Sequence, residues 1–221
     1  MINYKDYKHY SIYDTLDYNN KIILKGSVEN IVAFPKTEVA SIFVSTYRLS
    51  KNKDTVRVFV PAKQLPSLNL TKGCFVNIDG QIRTINRMIN GKSKLVVSVK
   101  PNTIEKVDFV EEDKNEGVVI GHLVKKPVLR ATPFNRQITD FLIAVQNDDN
   151  KHSSYIPGIA WGKNATFISQ FDVGDKFAIE GRLQSREYEK VQENGFSKTL
   201  TAYEFSANRV SFLRENNSYI K

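Results

Sequence analysis

Two stretches of the sequence decide the fold: GCFVNIDGQIRT at Gly73–Thr84 and GDKFAIEGRLQS at Gly174–Ser185. Both begin with glycine, continue as a strand-like run, and then place isoleucine, an acidic residue and a second glycine at matching positions. The match extends to a final hydroxyl residue without a gap. An ungapped match of this kind indicates that one structural unit occurs twice in the 221-residue chain.

The sequence around each copy indicates a β-rich unit of about 100 residues. Alternating apolar and polar residues precede the first copy, as in 55–60, and the second copy, as in 140–145. An Asn-Gly pair follows each copy, at Asn90-Gly91 and Asn194-Gly195. Such a pair favours a two-residue hairpin because both residue types tolerate positive φ.

Glycine inside a strand permits the bulge or bend that a small, strongly coiled barrel requires. Two such units, with long hairpins and little helix, predict an all-β protein of two tandem OB-fold (five-stranded Greek-key) barrels. The alternative is one β-sandwich with coincidental internal similarity, and the ungapped match counts against it. Pro157 and Gly158 interrupt a predicted strand of the second unit, where we expect a bulge.

The two predicted barrels account for most of the chain. We expect a tyrosine-rich arm at 1–20, a first OB fold at 21–107, a linker at 108–116, a second OB fold at 117–213 and a tail at 214–221. We interpret the arm as a segment that packs on a domain, with a stacking arm for bases as the alternative. A short helix is predicted within 164–171.

Positive charge is concentrated in the first half. Residues 1–107 contain 17 Lys and Arg against 8 Asp and Glu, whereas residues 108–221 contain 15 against 16. The net charge of +8 therefore arises from the first half, and a basic surface attracts polyanions. We expect the field that attracts phosphates to be centred on the first barrel.

The sequence contains no recognisable catalytic or metal-binding pattern. Its three histidines, His9, His122 and His152, are scattered, and the single cysteine, Cys74, cannot build a thiolate zinc site. Gly91-Lys92-Ser93 imitates the end of a P-loop, but the first glycine of that motif is missing. We therefore expect no enzymatic activity, no cofactor and no metal.

An ordered set of short segments runs through the second half: Val119–Leu123, Lys126–Pro133, Phe141–Val145, Ile159–Lys163 and Gly174–Tyr188. In order and spacing this set resembles the bacterial single-stranded-DNA-binding protein family, and it covers residues 117–213. The sequence departs from the family pattern at Lys126, which replaces an aspartate, and at Ala131, which replaces an aromatic residue. No glycine follows Pro133. The first half matches more faintly, mainly through the repeat.

The resemblance implies sequence-independent binding and protection of single-stranded DNA in replication, recombination or repair. Aromatic side chains would stack on bases, and Lys and Arg would contact phosphates. The candidate residues of the second barrel are Tyr155, Trp161 and Tyr188 for stacking, and Lys163, Arg130, Arg182 and Arg186 for phosphates. For Arg182 and Arg186, a solvated surface without function is the alternative.

Alternation along one predicted strand places Tyr155 and Trp161 on an outer face if the small residues between them line the barrel. A core position for both aromatics is the alternative. The first barrel lacks them, since matching the strands puts Val56 and Ala62 in their place. Its own candidates are Phe43, Tyr47, Arg57, Lys63, Arg83 and Arg87, with a core position as the alternative for Phe43.

We expect the first barrel to attract the DNA backbone and the second to hold the bases. Members of the family commonly assemble four OB folds, so we expect a homodimer, with a monomeric pseudo-dimer as the alternative. The sequence ends without the family's acidic tail, so we do not expect recruitment of replication proteins by that route. The alternative function is an OB-fold protein-interaction or primosome-like accessory module, and an RNA ligand is also open.

The sequence also indicates the cellular compartment. No apolar run approaches the ~18 residues of a membrane span, no signal peptide opens the chain, and one cysteine fits a reducing cytosol. We expect a cytoplasmic bacterial protein, nucleoid-associated or encoded by a mobile element, without a membrane partner.

Overall fold

The computed structural model describes residues 19–33, 38–89, 91–149, 151–191 and 197–213. The strands are β1 (Asn20–Ala33), β2 (Val39–Tyr47), β3 (Lys53–Pro61), β4 (Phe75–Ile89), β5 (Lys92–Val107), β6 (Lys114–Leu123), β7 (Val128–Ala131), β8 (Gln137–Gln146), β9 (Ser153–Trp161), β10 (Lys176–Val191) and β11 (Ser197–Leu213). The helices are α1 (Leu65–Leu68), which a 3-10 turn (Ala62–Gln64) precedes, and α2 (Lys163–Ile168). Residues 1–18 of the predicted arm, the Asn194-Gly195 turn and the 214–221 tail lie outside the described residues.

Five strands of each half close into a barrel. In the first half they neighbour one another in the order β1-β2-β3-β5-β4, and β4 returns to β1. In the second half β6-β8-β9-β11-β10 closes in the same way. This order confirms the prediction of two all-β, OB-type barrels. The edge strand β7, which pairs with β8, was not expected.

The barrel interiors are filled by alternate residues of the strands. In β3, Val56, Val58 and Val60 are buried, and in β9 the buried residues include Ile156 and Ala160. Burying an aliphatic side chain of this size contributes roughly 1.5–3 kcal/mol. Because neighbouring residues on a strand face opposite sides, this pattern turns the residues between them outward, where a ligand can reach them.

The two barrels share one continuous sheet. Strand β1 pairs antiparallel with β6 from Asn20↔Val119 to Lys25↔Lys114, and this pairing joins eleven strands within the described residues. Strand β6 begins at Lys114, inside the range expected for the linker, which leaves 108–113 as the connection. The halves are thereby fixed side by side through backbone hydrogen bonds.

The second glycine of each repeat copy lies at a register shift. The shift falls between Asp79 and Gly80 in the β4–β5 pair, and between Glu180 and Gly181 in the β10–β11 pair. A Cβ atom at residue 181 would overlap the backbone carbonyl of Ser206. Both bends that the repeat predicts are therefore present, and the close approach at the second one requires glycine.

The bulge expected at Pro157-Gly158 is absent from the described part of β9, which pairs with β8 without a register shift. Gly158 has a different role. A Cβ atom there would overlap the ring of Phe141, which is buried in the second barrel. The glycine therefore makes room for an aromatic core residue and does not bend the strand.

Two local predictions from the sequence are confirmed. Ile89 pairs with Lys92 and Gly91 has a φ of 72°, which defines a two-residue hairpin at Asn90-Gly91, although Asn90 itself lies outside the described residues. Helix α2 begins one residue before the predicted range and ends within it. Within the described ranges, no helix is both long and apolar enough to cross a bilayer.

Candidate nucleic-acid interface

The three side chains of the second barrel that are predicted to stack on bases are all exposed. Tyr155 and Trp161, both on β9, are 47% and 40% exposed, and Tyr188 on β10 is 39% exposed. The guanidinium of Arg186 lies 5.8 Å from the centroid of the Tyr188 ring. The structure therefore places all three predicted stacking residues at the surface, with one exposed arginine beside them.

The strands next to Trp161 add a cation and a partly apolar groove. Register aligns Arg130, Ile138 and Trp161 in one row across β7, β8 and β9. Arg130 is exposed but hydrogen-bonded through two nitrogens to Asp140, at 2.8 and 3.0 Å, which raises the pKa of the guanidinium. Lys163 is exposed at the start of α2, where it lines a groove of about 830 Å³.

The corresponding face of the first barrel already holds a guanidinium against its aromatic rings. The Cζ atom of Arg57 lies 5.4 Å from the ring centroid of Phe43, 6.0 Å from Phe59 and 5.6 Å from Tyr203 of the second barrel. Arg87 lies 5.4 Å from Phe59. Burial raises the pKa of the Tyr203 hydroxyl, and Arg57 opposes that shift. Phe43 is thus partly covered by a cation–π contact rather than open to a base.

Matching hydrogen bonds cross between the barrels and show which positions correspond. The N–H of Tyr155 donates to Thr84 Oγ1 at 2.7 Å, and the N–H of Thr55 donates to Ser185 Oγ at 2.9 Å. Thr84 and Ser185 are the last residues of the two repeat copies. Thr55 therefore corresponds to Tyr155.

This correspondence corrects the strand matching made from the sequence. With Thr55 opposite Tyr155, the residue that corresponds to Trp161 is Pro61, six residues further along β3. The expected substitutes, Val56 and Ala62, are each displaced by one residue. Val56 is fully buried and cannot hold an outward position. In a strand, a shift of one residue exchanges the inner and outer faces.

Arg182 does not reach the exposed face. It is half-buried, with Nε 3.6 Å from Oδ2 of Asp54 in the other barrel. Asp54 is 1% exposed and also accepts hydrogen bonds from Arg48 and from the N–H of Ser185. Burial, and then the charge of Arg48, lowers the pKa of the Arg182 guanidinium. The phosphate contact predicted for Arg182 therefore stays a prediction, and it would require the guanidinium to leave Asp54 at the interface between the barrels.

Arg83 lies on the opposite side of that interface, although the repeat aligns it with Gln184 and not with Arg182. Its guanidinium donates to Asn147 at 2.9 Å and to Asp148 at 3.1 Å, both in the second barrel, and also to Gln81. Burial lowers its pKa, against the opposing charge of Asp148. Like Arg182, it connects the barrels, so its predicted phosphate contact stays a prediction in which a phosphate would compete with Asn147 and Asp148.

A carboxylate that the sequence did not reveal lies next to Thr55, the residue of the first barrel that corresponds to Tyr155. Glu29 accepts hydrogen bonds from Lys53 at 2.6 Å, from Ser45, and from Thr55 at 2.9 Å. These donors, with Lys53 the strongest, lower the pKa of Glu29 from 4.5 to about 2. Glu29 lies at a register shift in β1, and its strand position alone gave no signal of this cluster.

The two remaining candidates of the first barrel are exposed. Tyr47 pairs with Lys53 at the end of β2, and its backbone N–H donates to Asp113 at 2.7 Å. Lys63 lies in the 3-10 turn after β3, in a place that matches Lys163 after β9. Both remain available to a ligand, and Tyr47, at 58% exposed, is itself an open aromatic ring of the first barrel.

Comparison with known proteins places this geometry in a family. Residues 114–213 match the model of the single-strand binding protein family. A single-stranded DNA-binding protein of Clostridium tetani is 34% identical over 109 residues, which make up 47% of this chain and 72% of that protein. The chain belongs to the single-strand binding protein family. Single-stranded DNA-binding protein A of Bacillus subtilis is 29% identical over 109 residues, again 47% of this chain, and 61% of that protein.

The structural comparison covers both barrels. The crystal structure of the wild-type single-stranded DNA binding protein from Thermus aquaticus matches with a TM-score of 0.68 and 18% sequence identity, over 91% of this chain and 96% of that chain. At this identity the match concerns the fold. The family match in sequence covers the second barrel, whereas the fold match includes the first, whose outer face has diverged.

Proposed function

We propose that the chain binds and protects single-stranded DNA without sequence preference. The observation that carries this proposal is the exposure of Tyr155, Trp161 and Tyr188 on one barrel of a single-strand binding family member. Stacking on an aromatic ring contributes roughly 1–3 kcal/mol per base and tolerates every base, because each has a π face.

Phosphate contacts would come from exposed cations near these rings. Lys163 follows Trp161 by two residues, and Arg186 lies against Tyr188. Arg130 can contribute only if a phosphate competes with Asp140 for its guanidinium. Each contact of this kind releases counterions, so the affinity should fall as salt rises.

The first barrel would act mainly through charge. Its Lys63 and Arg87 are candidate phosphate contacts, Tyr47 is an exposed candidate for stacking, and Phe43 is covered by Arg57. An incoming base could stack on Phe43 only by displacing that guanidinium. The proposed division of labour is therefore that the first barrel attracts the backbone and the second holds the bases. Equal losses of affinity from neutralising cations in either barrel would contradict it.

The cellular role and the assembly follow as finer proposals. Binding of this type serves replication, recombination or repair in the bacterial cytoplasm, and no step of it needs a catalytic group. The β1–β6 pairing makes each chain a pseudo-dimer of barrels, and a homodimer would bring four barrels together. Sedimentation of the full chain, with and without oligo(dT), distinguishes the two states.

Titration of Trp161 fluorescence with oligo(dT) tests the proposed function. Trp161 is the only tryptophan, so its signal reports on one place. We expect strong quenching by the single strand, weaker binding as salt rises, and no response to a duplex of the same sequence. Binding without quenching would mean that the strand does not stack on Trp161, and that the binding site lies on the first barrel.

A second candidate function is a protein-interaction module. It is favoured by the first barrel, where Arg57 and Glu29 occupy the face that a base would need. Absence of any binding to single-stranded DNA or RNA in the same titration would put this candidate first.

A further inference from the structure

Phe134 is the most exposed aromatic side chain of the described residues, at 87%. It lies in the loop between β7 and β8, a region with no strand or helix pattern in the sequence. We propose that Phe134 is a fourth stacking residue, which extends the second barrel's DNA face beyond Trp161. The proposal rests on the proposed function and adds a residue to that same site.

The loop that carries Phe134 is well fixed. The N–H of Thr132 donates to the carbonyl of Arg136, and the N–H of Asn135 donates to the carbonyl of Thr132, both at 2.8 Å. The N–H of Arg136 donates to Thr132 Oγ1 at 3.1 Å. Asn135 has a φ of 57°, the left-handed conformation that asparagine tolerates in a tight turn. A fixed turn presents the ring at a low entropic cost on binding.

The loop is also anchored beside Trp161. The N–H of Gly162 donates to the carbonyl of Gln137 at 2.9 Å, and Ile138 pairs directly with Trp161. Phe134 lies four positions before Ile138 in the chain, so their Cα atoms are at most about 14 Å apart. A single strand that stacks on Trp161 therefore needs only a few nucleotides to reach Phe134.

The charge around Phe134 suits a polyanion with stackable rings, such as a nucleic acid, better than a basic or purely apolar partner. Arg136 lies two residues away and is exposed, and Lys163, which is also exposed, lines one groove with Gln137 at the end of this loop. Phe109, which is 72% exposed, provides the contrast, because its groove is lined by Glu111 and Glu112 as well as by Lys25 and Lys114 and has no excess of positive charge. Of these two exposed rings, Phe134 adjoins the proposed face, whereas Phe109 lies in the 108–113 connection between the barrels.

Fluorescence anisotropy of labelled oligo(dT) tests this proposal with F134A, F134L and the matched control F109A. We expect F134A to bind about five- to twentyfold more weakly than the wild type. F134L should lose nearly as much, because leucine keeps apolar volume but has no π face, and F109A should bind like the wild type. The slope of affinity against salt should stay unchanged in F134A, since no phosphate contact is lost.

The thermal midpoint of unfolding of F134A serves as the folding control. Because Phe134 is exposed, this midpoint should stay within about 2 °C of that of the wild type. A second measurement places a reporter at the site itself: W161F combined with F134W should be quenched by oligo(dT). Wild-type affinity in F134A, or no quenching in F134W/W161F, would overturn the proposal while leaving DNA binding intact. No binding by the wild type would instead refute the proposed function.

Discussion

The outer faces of the two barrels differ far more than their interiors. Both barrels have the same strand order, and both use valine, isoleucine and leucine inside. At corresponding outer positions, the first barrel has Thr55 where the second has Tyr155, and Pro61 where the second has Trp161. Interior residues must fill the barrel without voids, and both barrels do this with the same kinds of aliphatic side chain. The outer positions are free of that constraint, so they carry the functional difference.

The first barrel has not simply lost its aromatic residues. Phe43, Phe59 and Tyr203 are present, but Arg57 lies against all three rings. A cation–π contact contributes about 0.5–2 kcal/mol, which is close to the value of one stacked base. In the second barrel Pro157 takes the place of Arg57 by the same register, and no cation competes there for Tyr155 or Trp161 among the contacts described.

The two barrels differ most strongly at the interface between them. A substitution there is expected to have the largest effect on the free energy of unfolding. Asp54 corresponds to Ser154, because each faces the last residue of the other barrel's repeat copy. Asp54 is buried and accepts hydrogen bonds from Arg48 at 2.5 and 2.7 Å. D54A leaves two guanidinium groups without their carboxylate and should lower the free energy of unfolding by about 3–5 kcal/mol.

Urea denaturation followed by circular dichroism measures this loss, with S154A as the matched control. Ser154 donates to Asn147 at 2.8 Å, so its removal should cost only about 1 kcal/mol. Equal destabilisation by D54A and S154A would mean that Arg48 and Arg182 find other partners. The two sides of the interface would then contribute equally to the free energy of unfolding.

The next effect concerns binding and compares Trp161 with Pro61. W161A should weaken the binding of oligo(dT) by about 1–3 kcal/mol, because one base loses its stacking surface. P61A, the corresponding change in the first barrel, should leave the affinity unchanged. Anisotropy of a labelled strand is the measurement, since W161A removes the fluorescent reporter. A comparable loss in P61A would show that the first barrel also holds bases.

The fold could be predicted because its signals are local and occur twice. The paired glycines at residues 80 and 181, the Asn-Gly hairpin and the alternation in β9 each depend on neighbours in the sequence. The exposure of Tyr155 and Trp161 follows from the same alternation. These features need no knowledge of how the barrels meet.

Interpretation from the sequence is weakest where distant segments meet. Arg83 and Arg182 match surface positions in sequence, but each is covered by the other barrel through contacts more than 60 residues apart. Gly158 resembles a strand breaker until Phe141 is placed against it. Phe134 lies in a loop without periodicity, so only its exposure in the folded chain distinguishes it.

A smaller effect separates the two arginines of the second barrel. Arg186 is exposed beside Tyr188, whereas Arg182 faces Asp54. R186A should reduce the slope of log affinity against log salt by about 0.7, the value for one phosphate contact on a single strand. R182A should leave that slope unchanged and lower the urea midpoint. The opposite pattern would place the strand along the interface between the barrels.

The smallest effect is expected at Glu29, which closes the first barrel's face with Lys53, Ser45 and Thr55. Its folded pKa of about 2 lies below the ordinary value of 4.5, so its contribution to stability is complete above pH ~4.5 and disappears as the pH falls towards 2. The side chain is 37% exposed, and solvent screening limits that contribution to at most about 1 kcal/mol.

E29Q should therefore be slightly less stable than the wild type at pH 7, and the difference between them should shrink as the pH falls from 4.5 to 2. Urea midpoints over this range provide the measurement. The same variant frees the ammonium of Lys53, so oligo(dT) should bind slightly more tightly at low salt and equally at high salt. Tighter binding that persists at high salt would contradict a purely electrostatic role, because it would mean that the carboxylate physically blocks a base from the first barrel's face.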